Sequence, residues 1–128
     1  MPRSSAPLRV LVVDDERLIC WSLAETLSAF GDRVIEAANG AAAIRALRDA
    51  AAPIDVVLLD YHLPDVRDLS LLEEVRRLAP GSRVIVMSAY GSSELTKSAT
   101  ALGASAVVDK PLDMHAVPAL VHGETPVR

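Results

Sequence analysis

Five short apolar runs punctuate the chain, at Arg9–Val13, Arg33–Ala37, Asp55–Leu59, Arg83–Met87 and Ser105–Val108, each of β-strand length. Between them apolar residues recur at helical spacing, so that Ile19, Leu23, Leu27 and Phe30 share a face, as do Ala43, Ile44 and Leu47. The same holds for Leu71, Leu72, Val75 and Leu78, and for Leu95, Ala99 and Leu102. The pattern predicts alternating strands and helices, (βα)5, which build a parallel sheet with helices on both faces. The first, third and fourth runs are almost wholly apolar, as strands covered on both faces are, and are predicted to be central. Arg33–Ala37 keeps polar residues inside the run and is predicted at an edge. Gly31, Pro80–Gly81 and Gly103 end the first, third and fourth helices. Pro118 falls about five residues into the fifth helical stretch, beyond the first turn where proline is free, which predicts a kinked, short or displaced helix.

Composition narrows the picture. The 128 residues fit one domain, and a 51% hydrophobic content is enough to hold a core and excludes disorder for most of the chain. The expected division is a disordered segment 1–7, a domain over 8–121, and a frayed tail or start of a linker over 122–128. A formal charge of −4 has the wrong sign for binding a phosphate backbone, and only four aromatic residues leave no stacking platform. Direct nucleic-acid binding is therefore excluded. Cys20 is the only cysteine, so there is no intrachain disulfide, zinc cluster or redox pair, and a reducing compartment is expected. The apolar run Leu8 to Val13 is too short for a membrane span or a signal segment, which predicts a soluble cytoplasmic protein.

The informative polar residues stand just after the strands: Asp14 and Asp15 after the first, Asp60 after the third, Ser88 after the fourth, Lys110 after the fifth. Taken singly each has a plain reading: Asp14–Asp15 cap the next helix, Asp60 starts a turn, Ser88 is a cap and Lys110 a solvated charge. Together they converge where open α/β sheets bind ligands, outside the carboxyl ends of the strands. Three carboxylates about 5 Å apart at an effective dielectric near 20 repel by about 3 kcal/mol per pair, so a cation is expected. All-oxygen ligation favours Mg2+, which is often held by carboxylates together with a phosphoryl group. A carboxylate nucleophile beside it can form an aspartyl phosphate.

The segments Val10 to Glu16 (VLVVDDE), Val56 to Pro64 (VVLLDYHLP), Val84 to Gly91 (VIVMSAYG), and Gly103–Ala104 with Asp109–Lys110–Pro111 resemble the receiver domain of two-component response regulators, particularly the nitrogen-regulator class. The resemblance implies a flavodoxin-like, doubly wound parallel sheet of order 2-1-3-4-5 over residues 8 to about 117. It makes Asp60 the phosphoacceptor, with Mg2+ held by Asp14, Asp15, Asp60 and the backbone carbonyl of His62. Ser88 takes the hydroxyl position that follows the phosphoryl group, Ala89 the small residue beside it, and Lys110 pairs with the phosphoryl group. The Lys110–Pro111 bond is expected to be cis. The implied partners are a sensor histidine kinase or phosphotransfer protein and a downstream output domain or protein, with the chain a monomer or weak dimer. Self-phosphorylation from a donor and self-dephosphorylation are the only chemistry expected of it.

Three positions depart from the family pattern. Val107 stands where an aromatic ring on the fifth strand usually reports phosphorylation, Asp68–Leu69 where the loop after the phosphoacceptor often has Gly–Leu, and Pro118 in the fifth helix. The alternative function is a haloacid-dehalogenase-type Mg2+-dependent phosphohydrolase, but such an enzyme needs an aspartate two residues after its nucleophile, where this chain has His62. A flavodoxin-like cofactor binder would need a Gly-rich phosphate loop after the first strand, and none is present. Among the remaining residues, Cys20 is expected to pack as a small apolar side chain and Trp21, off the main helical stripe, to be half exposed. The His62 imidazole has no second histidine at ligand spacing. His115 and His122 are expected to be solvated, and Arg45, Arg48, Arg76 and Arg77 to be ordinary surface charges.

Overall fold

A computed structural model describes residues 6–123. The chain runs β1 (Arg9–Val13), α1 (Arg17–Ala29), β2 (Arg33–Ala37), α2 (Gly40–Asp49), β3 (Val56–Asp60), α3 (Ser70–Leu78), β4 (Arg83–Ser88), α4 (Ser93–Ala101), β5 (Ala106–Asp109) and α5 (Val117–His122). All strands are parallel, in the order β2-β1-β3-β4-β5. The three near-continuous apolar strands are the central ones, and β2 and β5 the edges, because only strands covered on both faces bury every side chain. Alternate residues divide the core. Leu11, Val13, Val57 and Leu59 pack under α2, α3 and α4, while Val10, Val12, Val56 and Leu58 pack under α1 and α5.

β3, β4 and β5 each run one residue further than their apolar runs, so Asp60, Ser88 and Asp109 are the last residues of their strands. The ladder therefore fixes Asp60 and Ser88 directly. Phe30 does not share the buried face of α1: it is the C-cap residue and 46% exposed, and Cys20 joins Leu23 and Leu27 inside. Gly31 follows at φ +105°, a conformation that stops the helix and that a side chain would strain.

Pro118 shortens α5 rather than kinking it. The helix begins at Val117, which leaves the proline in the first turn, where it sacrifices no intrahelical hydrogen bond. His122, expected to be solvated at the start of a frayed tail, is instead the last residue of α5. Its Nε2–H donates to both carboxylate oxygens of buried Asp32, at 3.0 and 2.8 Å, and its ring meets Phe30 edge-on. Asp32 Oδ1 also accepts the N–H of Leu8 at 3.0 Å. Arg76, expected to be a surface charge, folds back onto the carbonyls of Pro80 and Ser82 and braces the turn after α3. Arg77 does keep to the surface, paired with Glu74. Most of segment 1–7 and residues 124–128 lie outside the described residues.

Candidate functional site

Parallel strands bring their C-terminal ends to one rim, and polar residues end three of the five there and follow directly on a fourth. Asp14, one residue past β1, is buried, and its N–H donates to the carbonyl of Ala37. Its Oδ1 accepts the N–H of Glu16 at 2.9 Å, so it shapes the turn into α1, while Glu16 itself holds the N-cap position. The neighbouring Asp15 points outward and is exposed. Asp60 is 4% exposed, and its Oδ1 accepts the N–H of His62 at 3.1 Å. Oxygens of Asp14, Asp15 and Asp60 lie within 4.8 Å of one another. This hard, oxygen-only donor set fits a divalent cation such as Mg2+ or Ca2+.

Lys110 crosses from the end of β5, and the Lys110–Pro111 bond that follows it is cis. Its Nζ stands 2.9 Å from Asp14 Oδ2, 3.0 Å from Glu16 Oε1 and 3.4 Å from Asp60 Oδ2. Burial opposes the charge on Lys110, but hydrogen bonds to Asp14 and Glu16 hold its ammonium well above the usual lysine range. The pKa of Asp60 is raised too, by burial first, from 3.8 to about 6, but on a carboxyl this disfavours the charge; the charge of Asp14 adds to the rise and the His62 N–H and Lys110 oppose it. A cleft of about 460 Å3 opens over these groups, with Ala89, Tyr90, Pro64 and Arg67 on its walls. Ser88 is fully buried beneath it, its Oγ accepting the Tyr90 N–H at 3.2 Å and its carbonyl the Lys110 N–H at 2.9 Å.

All the residues singled out at the strand ends thus meet at one rim. Sequence reasoning missed Glu16, although it adjoins the acidic pair, because its pairing with Lys110 spans 94 residues. Cys20 behaves as expected: its buried thiol donates to the carbonyl of Asp14, and burial pushes its pKa up to about 11. Trp21 is 59% exposed.

The family profile of the response regulator receiver domain matches residues 10–122. The chain belongs to this family. Receiver domains are the signalling modules of two-component systems, and the relatives of this one include both short and long regulators. It is 32% identical to the chemotaxis protein CheY of Treponema pallidum over 111 residues, 86% of this chain and 77% of that protein. It is 35% identical to the DNA-binding transcriptional regulator NtrC of Escherichia coli over 112 residues, 88% of this chain and 24% of the regulator. The receiver domain thus spans about a quarter of that longer relative. Among solved structures, a CheX–CheY–BeF3–Mg2+ complex from Borrelia burgdorferi has a TM-score of 0.84 at 30% identity, covering 91% of this chain and 88% of that one. No helix among the described residues is long and apolar enough to cross a membrane.

Proposed function

We propose that Asp60 is the phosphoacceptor of this receiver domain, and that a sensor histidine kinase or phosphotransfer protein is its donor. The observation that carries the assignment is a buried carboxylate ending a central strand inside a three-carboxylate cluster, with the Lys110 ammonium 3.4 Å away. An ionised Asp60 oxygen attacks phosphorus as the phosphorus–nitrogen bond of the donor phosphohistidine breaks, and the imidazole leaves with the bonding pair. Mg2+, when bound by Asp14, Asp15, Asp60 and the carbonyl of His62, offsets the charge gathered there. Lys110 pairs with the new phosphoryl oxygens, the Ser88 hydroxyl follows them, and Ala89 is the small residue beside it. The changed surface then alters binding to an output domain or protein, with no direct contact to nucleic acid by this chain, which acts in the cytoplasm as a monomer or weak dimer.

The phosphohydrolase alternative lacks its second aspartate: His62 holds that position and packs edge-on against Tyr61. Incubation with acetyl phosphate and Mg2+, followed by intact-mass analysis, is expected to add one phosphoryl group to the parent and none to Asp60→Asn. Labelling of the variant at another carboxylate, or sustained turnover of simple phosphomonoesters, would overturn the assignment.

A further inference from the structure

The loop between β3 and α3 carries the His62 carbonyl, and one of its residues reaches a distant helix. Asp65 Oδ1 accepts the N–H of Gly40 at 2.8 Å and Asp65 Oδ2 that of Ala41 at 3.1 Å. Together with Asn39, whose Oδ1 accepts the N–H of Ala42 at 2.7 Å, it satisfies the first three amides of α2. Two of the three are thus capped by a side chain some 25 positions away, which local capping rules do not anticipate.

The approach is close. A Cβ at Gly40 would stand 2.8 Å from Val66 Cγ2 and 3.3 Å from Asp65 Oδ1, so a side chain at position 40 would push on the loop where it lies against α2. At its other end the loop is tied to the pocket itself, where the His62 N–H reaches Asp60 Oδ1. Between the two anchors, Leu63 is buried and its N–H closes a turn onto the carbonyl of Val66. Among the described residues the His62 carbonyl accepts no hydrogen bond. Its direction therefore follows the course of residues 61–66.

We propose that Asp65 is a positioning residue: by clasping the first turn of α2 it holds the β3–α3 loop in the shape that presents the His62 carbonyl to the acidic pocket, and so sets Mg2+ affinity and the rate of phosphorylation at Asp60. This rests on the function proposed above. Asp65 is neither in the three-carboxylate cluster nor on the walls of the cleft. Its removal acts through the loop, as loss of groups that orient metal ligands commonly costs about tenfold or more in affinity.

The test is calorimetric Mg2+ titration and acetyl phosphate labelling of the full chain, at a temperature where every variant is folded. Asp65→Ala is expected to weaken Mg2+ binding about tenfold and slow labelling to match, and Asp65→Asn, which keeps one acceptor, to fall between. Gly40→Ala distinguishes positioning from stability. It improves helix propensity, so a merely structural role predicts unchanged or tighter binding, whereas intrusion on Val66 predicts weaker binding. Adding Val66→Ala, which removes the clashing methyl, is expected to restore it. The proposal is overturned if Asp65→Ala and Gly40→Ala bind Mg2+ and label at parental levels while faster amide exchange at positions 40 and 41 shows the clasp gone. A parent that neither binds Mg2+ nor labels at Asp60 overturns the functional reading, and this inference falls with it.

Discussion

Asp60 carries an energetic conflict. The folded state holds its proton more tightly than the unfolded chain does, since burial raises its pKa to about 6 from 3.8. Protonation of this residue therefore favours folding: its contribution is fully present below about pH 4 and is lost as pH rises through 6. Asp60→Asn, which keeps an oxygen for the His62 N–H but carries no charge, is expected to be more stable than the parent at pH 7.5 in EDTA by on the order of 1–3 kcal/mol. The advantage should vanish near pH 4. Thermal melts between pH 4 and 8 measure it, and a variant that melts below the parent at pH 7.5 would show that the charge is already relieved. The places of the strand-end residues were legible in the sequence because each closes an apolar run, so their convergence follows from register. Glu16 and Asp65 were not, because one binds across 94 residues and the other across 25, and no local pattern encodes such distances.

The elements themselves were mostly legible, since the difference between buried and edge strands is written in whether the apolar run is continuous. Helix α5 is short, as expected, but Pro118 stands earlier in it than the spacing suggested. Helical spacing fixes a face but not a first residue, and the start at Val117 turns Pro118 from a breaker into a first-turn residue. The pairing of His122 with Asp32 was likewise invisible, as it joins the turn after α1 to the far end of the chain. Asp32 and His122 expose only 1% and 7% of their side chains, so cutting the pair strands a carboxylate in the interior. His122→Ala is expected to cost about 3 kcal/mol in urea unfolding at pH 6.5. A loss below about 0.5 kcal/mol, the range of an exposed pair, would mean that α5 is held by Val117 and Val121 alone.

Across the whole molecule, the proposed assignment requires that an event at Asp60 reach a surface. Val107 lies half-buried in β5, opposite Val86 in β4, within the layer beneath α4. A branched side chain of this size has few rotamers and no lever to swing into space vacated near Ser88. Tyr90, the nearest aromatic in sequence to Ser88, is 85% exposed on the cleft wall. Binding of BeF3 with Mg2+ is therefore expected to move amide resonances of residues 60–68 and 88–94 and of Lys110, and to leave 112–122 close to their free positions. Large shifts running through 112–122, or a tight dimer formed there, would show that the switch does not depend on a ring at position 107. The opposite rim of the sheet has its own economy. Asp32 holds both the Leu8 amide and the His122 ring, so a single carboxylate fastens the entrance and the exit of the polypeptide side by side. The fold is in effect a closed loop with a clasp. Leu8 and His122 thus sit together a strand's length from the acidic pocket, the arrangement of a module whose two ends meet on the side away from its chemistry.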